Sequence, residues 1–185
     1  MRVLDATHPS HDSNLSPRTS ARGRACGFTL IEMVCVVTLL GILAAIALPR
    51  FVNLGRDAHR ATVAATRGAF AGGVNLVQMK YRARRLVGAQ DNITGIAGTD
   101  IDVNTAGWPV DTSNQNTIGG QAARCQRVWN WLLVAPPTTQ TAVAGTAAYR
   151  VTAAGEVCTF TYRMDTVTRT IVYAAGTGLM SGVNP

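Results

Sequence analysis

Aromatic side chains are scarce in this chain, 6% of 185 residues, and only three histidines occur. Two of these, His8 and His11, fall in the first dozen residues. A zinc centre or a histidine-based triad is therefore short of ligands and bases. Four cysteines are too few and too scattered for a disulfide-dense scaffold. Charge is thin at 15% and leans to one sign, with 17 basic residues against 10 acidic ones and a formal net charge of +7. The chain has no phosphate-cradling glycine loop and no nucleophile elbow, so catalysis is not expected. Hydrophobic residues, by contrast, make up 47%, which excludes disorder of the whole chain. The length suits one ordinary domain plus an additional segment.

That additional segment is sharply bounded. Residues 1–27 are polar, with serines at 10, 13, 16 and 20 and arginines at 18, 22 and 24. Phe28 to Leu48 then run for 21 residues with one charge, Glu32, before Pro49 and Arg50. As a helix this run is about 31 Å long, against roughly 30 Å for a hydrocarbon core. A cleaved export signal gives a similar picture, with Ala45-Ile46-Ala47 as its small-residue cleavage site. The long polar stretch and Glu32 argue against it. An uncompensated acid at the bilayer centre costs about 2.5–3.5 kcal/mol, a cost that export alone does not require. Cys26 does not read as a lipoprotein cysteine, because Gly23-Arg24-Ala25 before it is not apolar. Arginines flank the run on both sides, so charge does not fix its orientation.

At the junction the sequence reads Gly27-Phe28-Thr29-Leu30-Ile31-Glu32, behind a basic leader and ahead of an apolar helix. This hexapeptide, with Pro49 as the twenty-second residue counted from Phe28, resembles the type IV pilin family, which includes the type II secretion pseudopilins. The resemblance implies that a prepilin peptidase removes the leader 1–27 by cutting between Gly27 and Phe28 and methylates the new amino group of Phe28. Gly27 suits that step because a residue without Cβ lets a protease approach the backbone. Residues 28–49 would then anchor a single-pass precursor in a bacterial inner membrane, in contact with lipid. An inner-membrane assembly platform would move it into a helical filament with copies of itself and minor pilins. The filament would be an extracellular pilus or a periplasmic pseudopilus. Glu32 would pair with the Phe28 amine of a neighbouring subunit, because a buried charge is tolerated only when paired. The plainer alternative has Glu32 reaching up to the lipid headgroups.

Beyond the anchor, residues 50–87 read as an amphipathic continuation of the helix. Phe51, Leu54, Ala58, Ala61 and Ala65 form its apolar face. Asp57 alone opposes eight basic residues between Arg50 and Arg85. Gly68 and Gly72-Gly73 weaken the helix and invite a bend. The basic strip admits anionic headgroups, acidic subunit surfaces or nucleic acid, and a solvated or subunit-facing role is favoured over the last.

Residues 88–185 form the globular head. A loop region over 88–120 carries Gly107-Trp108-Pro109, with Trp108 read as a loop aromatic folded onto the core. This element, followed by two cysteines, resembles the mannose-sensitive haemagglutinin (MSHA) pilin branch. A short helix is expected over 121–134, with Cys125, Val128, Trp129, Leu132 and Leu133 on one stripe, stopped by Pro136-Pro137. Strands are expected over 147–174, antiparallel and three or four in number, followed by a loose glycine-containing tail. The fold class is α+β: a long N-terminal helix, half transmembrane and half amphipathic, packed on a small antiparallel sheet, as in type IV pilins.

Cys26 falls in the leader and Cys35 in the membrane run. Cys125 and Cys158 remain for the head, where the family's oxidising compartment would join them in a disulfide, the alternative being two buried thiols. The resemblance associates such a bridge with pilins more than with secretion pseudopilins. Asp100, Asp102, Asn104 and Asp111 partly resemble a calcium loop, although Thr105 stands where the turn glycine belongs. A short edge strand explains Ile101 and Val103 more simply. No metal or cofactor is otherwise expected. The function implied is that of a structural subunit of an MSHA-like type IV pilus serving adhesion or motility. The alternatives are a secretion pseudopilin or minor pilin, and a signal-anchored periplasmic domain that never polymerises.

Overall fold

A computed structural model of the chain describes residues 27–95 and 100–182. Most of the leader, with Cys26, His8 and His11, lies outside the described residues. The chain divides into two units, residues 1–45 and 46–185.

The first unit contains the start of helix α1 (Leu30–Ala83). Leu30–Leu48 is long and apolar enough to cross a membrane, with a mean hydropathy of 2.6, and none of it is buried within the protein. Thr38 lies in this stretch and returns its hydroxyl to the carbonyls of Val34 and Cys35 at 3.0 and 2.9 Å. A polar side chain is thereby satisfied inside its own helix, as an apolar environment requires.

In the second unit α1 supplies one wall of the core. The buried stripe is Val63, Phe70, Val74, Val77 and Tyr81, spaced by seven, four, three and four residues. This corrects the face expected from the sequence, because Phe51, Leu54, Ala58, Ala61 and Ala65 are all exposed. Both faces carry apolar residues, and the larger, β-branched and aromatic one wins the core because it buries more surface. No break interrupts α1 at Gly68, Gly72 or Gly73. Gly73 has a packing reason: a Cβ there would meet Leu132 Cβ at 3.0 Å and the Leu132 carbonyl at 3.1 Å.

The head differs from the expected single sheet. Within 88–120, read as loop, lie three short antiparallel strands: β1 (Gln90–Ile93), β2 (Ile101–Val103) and β3 (Pro109–Asp111). Helix α2 (Ala122–Leu132) follows and buries Cys125, Val128, Trp129 and Leu132, the stripe read from its spacing. A second, five-stranded sheet has the order β4 (Thr139–Gln140), β5 (Tyr149–Ala154), β6 (Val157–Tyr162), β7 (Arg169–Ala174), β8 (Leu179–Gly182). Its β4–β5 pair is parallel and the rest antiparallel. The expected loose tail is thus an edge strand, led in by Gly178 at φ +72° with the Trp108 ring against it. On β6 the alternation is as expected, with Cys158, Phe160 and Tyr162 inward.

Aromatic residues are few but gathered. Phe70 of α1 lies 5.1 Å from Trp129, 5.5 Å from Phe160 and 5.7 Å from Tyr173, and Trp129 stacks on Phe160 at 4.4 Å. Trp129 Nε1 donates to the Pro137 carbonyl at 3.1 Å, and Tyr173 Oη donates to Pro109 at 2.8 Å. Burial pushes the Tyr173 hydroxyl pKa up. The Cys125–Cys158 disulfide joins α2 to β6 across a Cα separation of 5.7 Å. By loop entropy such a bridge contributes about 3–4 kcal/mol.

Candidate functional site

The N-terminal junction is built from a few residues. Gly27 is exposed, and a Cβ placed on it would meet nothing within 4 Å, so the Gly27–Phe28 bond is open to approach. Phe28 is 75% exposed and precedes the first helical turn. Thr29 caps that turn by accepting a hydrogen bond from the Glu32 backbone N–H at 3.3 Å on its Oγ1. Thr29-x-x-Glu32 is the spacing of a capping box, a helix-start signal that the hexapeptide contains and that its family resemblance overshadows. Glu32 occupies the first turn, where an acid complements the helix dipole. Its own side chain is exposed among Leu30, Ile31, Met33 and Val34, all exposed as well. An acid one turn from the Phe28 backbone, on an apolar helix that the protein does not cover, is chemically suited to pair with an amine brought by another molecule.

The second candidate set is not brought together. Asp102 is fully buried, and its carboxylate accepts the N–H groups of Asn92 at 3.0 Å and Gln115 at 3.2 Å. Asp111, also buried, is held by the Arg127 fork at 2.6 and 2.9 Å, with Arg124 at 3.6 Å. Asn104 spends Oδ1 on the N–H groups of Ala106 and Trp108, and donates Nδ2 to Ala175 at 2.7 Å. No cluster of three histidine, cysteine or acidic side chains that could hold a metal occurs among the described residues; of the calcium candidates, Asp102, Asn104 and Asp111 are committed to structural bonds and Asp100 is exposed. Asp102 ties β2 to Asn92 of β1 and to the loop at Gln115, Asp111 ties β3 to α2, and Asn104 ties its loop to Ala175, just past β7. Burial alone raises the Asp111 pKa. The hydrogen bonds from Arg127 and Thr112, with the charges of Arg127 and Arg124, more than offset burial and hold it below the usual carboxylate range.

Part of the basic strip is likewise occupied. Arg67 donates to the Gly182 carbonyl at 3.0 Å, and Lys80 and Arg84 both reach the Thr94 carbonyl. Arg50, Arg60, Arg82 and Arg85 are exposed. Trp108 is half-buried against the core, as its plainer reading had it.

Comparison with known proteins bears on the junction. The prokaryotic N-terminal methylation motif matches residues 22–48. Over 46 residues the chain is 56% identical to the type IV narrow pilus major component PilA5 of Thermus thermophilus. That match covers 25% of this chain and 40% of the Thermus protein. No solved structure matches the chain. The matched motif and this relative support the type IV pilin family, and the architecture is an α+β fold consistent with a type IV pilin.

Proposed function

We propose that this protein is a pilus subunit of the MSHA-like type. It is made as a precursor, cut between Gly27 and Phe28 by a prepilin peptidase, methylated on Phe28 and held in a membrane by the span that ends at Leu48. Polymerisation withdraws that span into a helical filament, where each apolar helix is covered by the helices of other copies. Glu32 then meets the Phe28 amine of the next subunit. With both charges out of water, only the stagger that pairs them is tolerated, and this sets the axial register of the assembly.

The carrying observation is Glu32 itself, an acid on an uncovered apolar helix one turn past an open Gly27–Phe28 bond. The methylation motif at residues 22–48 and the similarity to a narrow-pilus component support this reading. The Cys125–Cys158 bridge favours a pilus subunit over a secretion pseudopilin, and Gly107-Trp108-Pro109 followed by the two cysteines supports the MSHA-like assignment. Adhesion or motility is the use such a filament serves. The inner-membrane assembly platform and minor pilins are its partners.

The test is Glu32→Ala. The variant is expected to be cut and methylated normally, while filament recovered by shearing falls by at least about 10-fold, because an amine is left without its counter-ion. Normal filament yield from Glu32→Ala contradicts the proposal.

A further inference from the structure

The five-stranded sheet presents two unlike faces. Its aromatic residues, Tyr149, Phe160, Tyr162 and Tyr173, all point into the core. Strand alternation turns the intervening residues outward, where they are half-buried or exposed. The register aligns these residues in rows. Thr152, Thr159, Val172 and Ser181 cross β5 to β8 side by side, and Arg150, Thr161 and Thr170 form the next row. Arg163 follows Thr161 by two residues, which places it beyond the second row and diagonal to Arg150. Neighbours in a row stand about 4.8 Å apart, and the rows are separated by about 6.7 Å.

This face carries positive charge with no acid to neutralise it. Strands β5 to β8 contain no aspartate or glutamate. The acids in the connecting turns are engaged elsewhere. Glu156 accepts the N–H groups of Ile118 and Gly119 at 2.9 and 3.1 Å, and Asp165 is held by Arg169 at 2.8 Å. Among the described residues, no side-chain hydrogen bond or ion pair engages Arg150 or Arg163, and Arg150 Nε and Arg163 Nη1 lie out of water without a partner. An N–H held in that way is a donor awaiting an acceptor. The hydroxyls of Thr152, Thr159, Thr161 and Thr170 are likewise uncommitted among the described residues.

The chemistry of this face selects a partner. Guanidinium forks match carboxylate oxygens, and two of them with no competing acid require an anion. Threonine hydroxyls both donate and accept, and their stiff β-branched side chains hold them in fixed rows, which suits a polymer rich in hydroxyls. No aromatic ring stands on this side for bases to stack on, so single-stranded nucleic acid gains little here. An acidic polypeptide supplies the charge without the hydroxyls.

We propose that the outer face of the β5–β8 sheet binds a carboxylate-bearing polysaccharide, Arg150 and Arg163 pairing its carboxylates and the threonine rows its hydroxyls. The site belongs to the head alone. That it meets such a polymer outside the cell rests on the pilus reading, which the yield of sheared filament reports separately.

The test titrates the full chain in neutral detergent, at physiological ionic strength, with a short oligouronate followed by isothermal titration calorimetry. A neutral glucan of the same length, polyglutamate and duplex DNA are the comparison ligands. Wild type is expected to bind the oligouronate and to bind the glucan and polyglutamate at least about 10-fold more weakly. Arg150→Gln/Arg163→Gln is expected to weaken oligouronate binding about 10-fold or more. Thr159→Val/Thr161→Val keeps the β-branched shape and the charge, and is expected to weaken it about 3- to 10-fold. Both variants are checked for an unchanged denaturation midpoint. Arg82→Gln/Arg85→Gln, exposed on α1, is expected to leave binding unchanged. Failure of wild type to bind the oligouronate, equal binding of polyglutamate, or tighter binding of DNA overturns the proposal. So does a loss of binding seen in the α1 variant and not in the sheet variants.

Discussion

The two units of this protein treat apolar surface in opposite ways. In residues 30–45 every side chain is exposed and nearly all are apolar, whereas from Val63 onward most of the large apolar groups are closed into one core. The head satisfies itself: Phe70 touches Trp129, Phe160 and Tyr173, and a disulfide and the pairing of buried Asp111 with Arg127 fasten the elements around them. The N-terminal helix satisfies only its backbone and the Thr38 hydroxyl. Its surface therefore requires a partner outside the chain, first lipid and then other copies in the proposed cycle. Mutations in the two units should accordingly separate, with head variants changing stability and helix variants changing assembly.

The sharpest way to break that separation is at the aromatic cluster. Phe70→Ala removes the α1 side chain that three other rings contact and is expected to destabilise the head by about 3–5 kcal/mol. Chemical denaturation followed by tryptophan fluorescence measures this, and Glu32→Ala in the same assay should not shift the midpoint. Reducing the Cys125–Cys158 bridge, or replacing both residues by Ser, should cost about 3–4 kcal/mol, read as a lower denaturation midpoint that reductant no longer alters in the double variant.

A third effect depends on pH. The folded state lowers the Asp111 pKa, so its contribution is fully present above the unfolded value near 3.9 and is lost as pH falls through the lower folded value. Asp165, lowered chiefly by its hydrogen bond from Arg169, acts with the same sign. Stability should therefore be flat near neutrality and decline below about pH 4, and Arg127→Gln should flatten the acid limb while lowering the plateau. The smallest effect discriminates packing from propensity. Gly72→Ala, where a Cβ meets nothing, should stabilise by up to about 1 kcal/mol, and Gly73→Ala, pressed against Leu132, should forfeit that gain. Equal shifts in thermal unfolding would remove Gly73 from the helix–helix contact.

The junction, the α2 stripe and the β5–β7 meander were legible because each carries a strong local signal: a hexapeptide, a helical period, a strict alternation. The buried face of α1 was not. Phe51, Leu54, Ala58, Ala61 and Ala65 keep helical spacing as well as Val63, Phe70, Val74 and Val77 do, and only the tertiary fold chooses between two apolar faces of one helix. Strand β2 was legible in part, as a short edge strand at Ile101 and Val103 that is in fact the middle strand of its sheet, and β3 escaped altogether. Each has three residues and buries an aspartate, which no alternation rule places inside, and Asp102 and Asp111 are inside only because Asn92, Gln115 and Arg127 reach them from elsewhere. Those non-local bonds are invisible in the sequence, where Asp102 and Asp111 also fit part of a calcium loop. Strand β8 was hidden behind Gly176 and Gly178, whose turn geometry reads as slack until a partner strand is present.

Processing at the junction comes before every later step in this account, and the intact mass of the mature chain purified from cells tests it most directly. The account predicts one species beginning at Phe28 and heavier than the bare polypeptide by one methyl group. A chain beginning after Ala47, or one that retains Gly27, contradicts it.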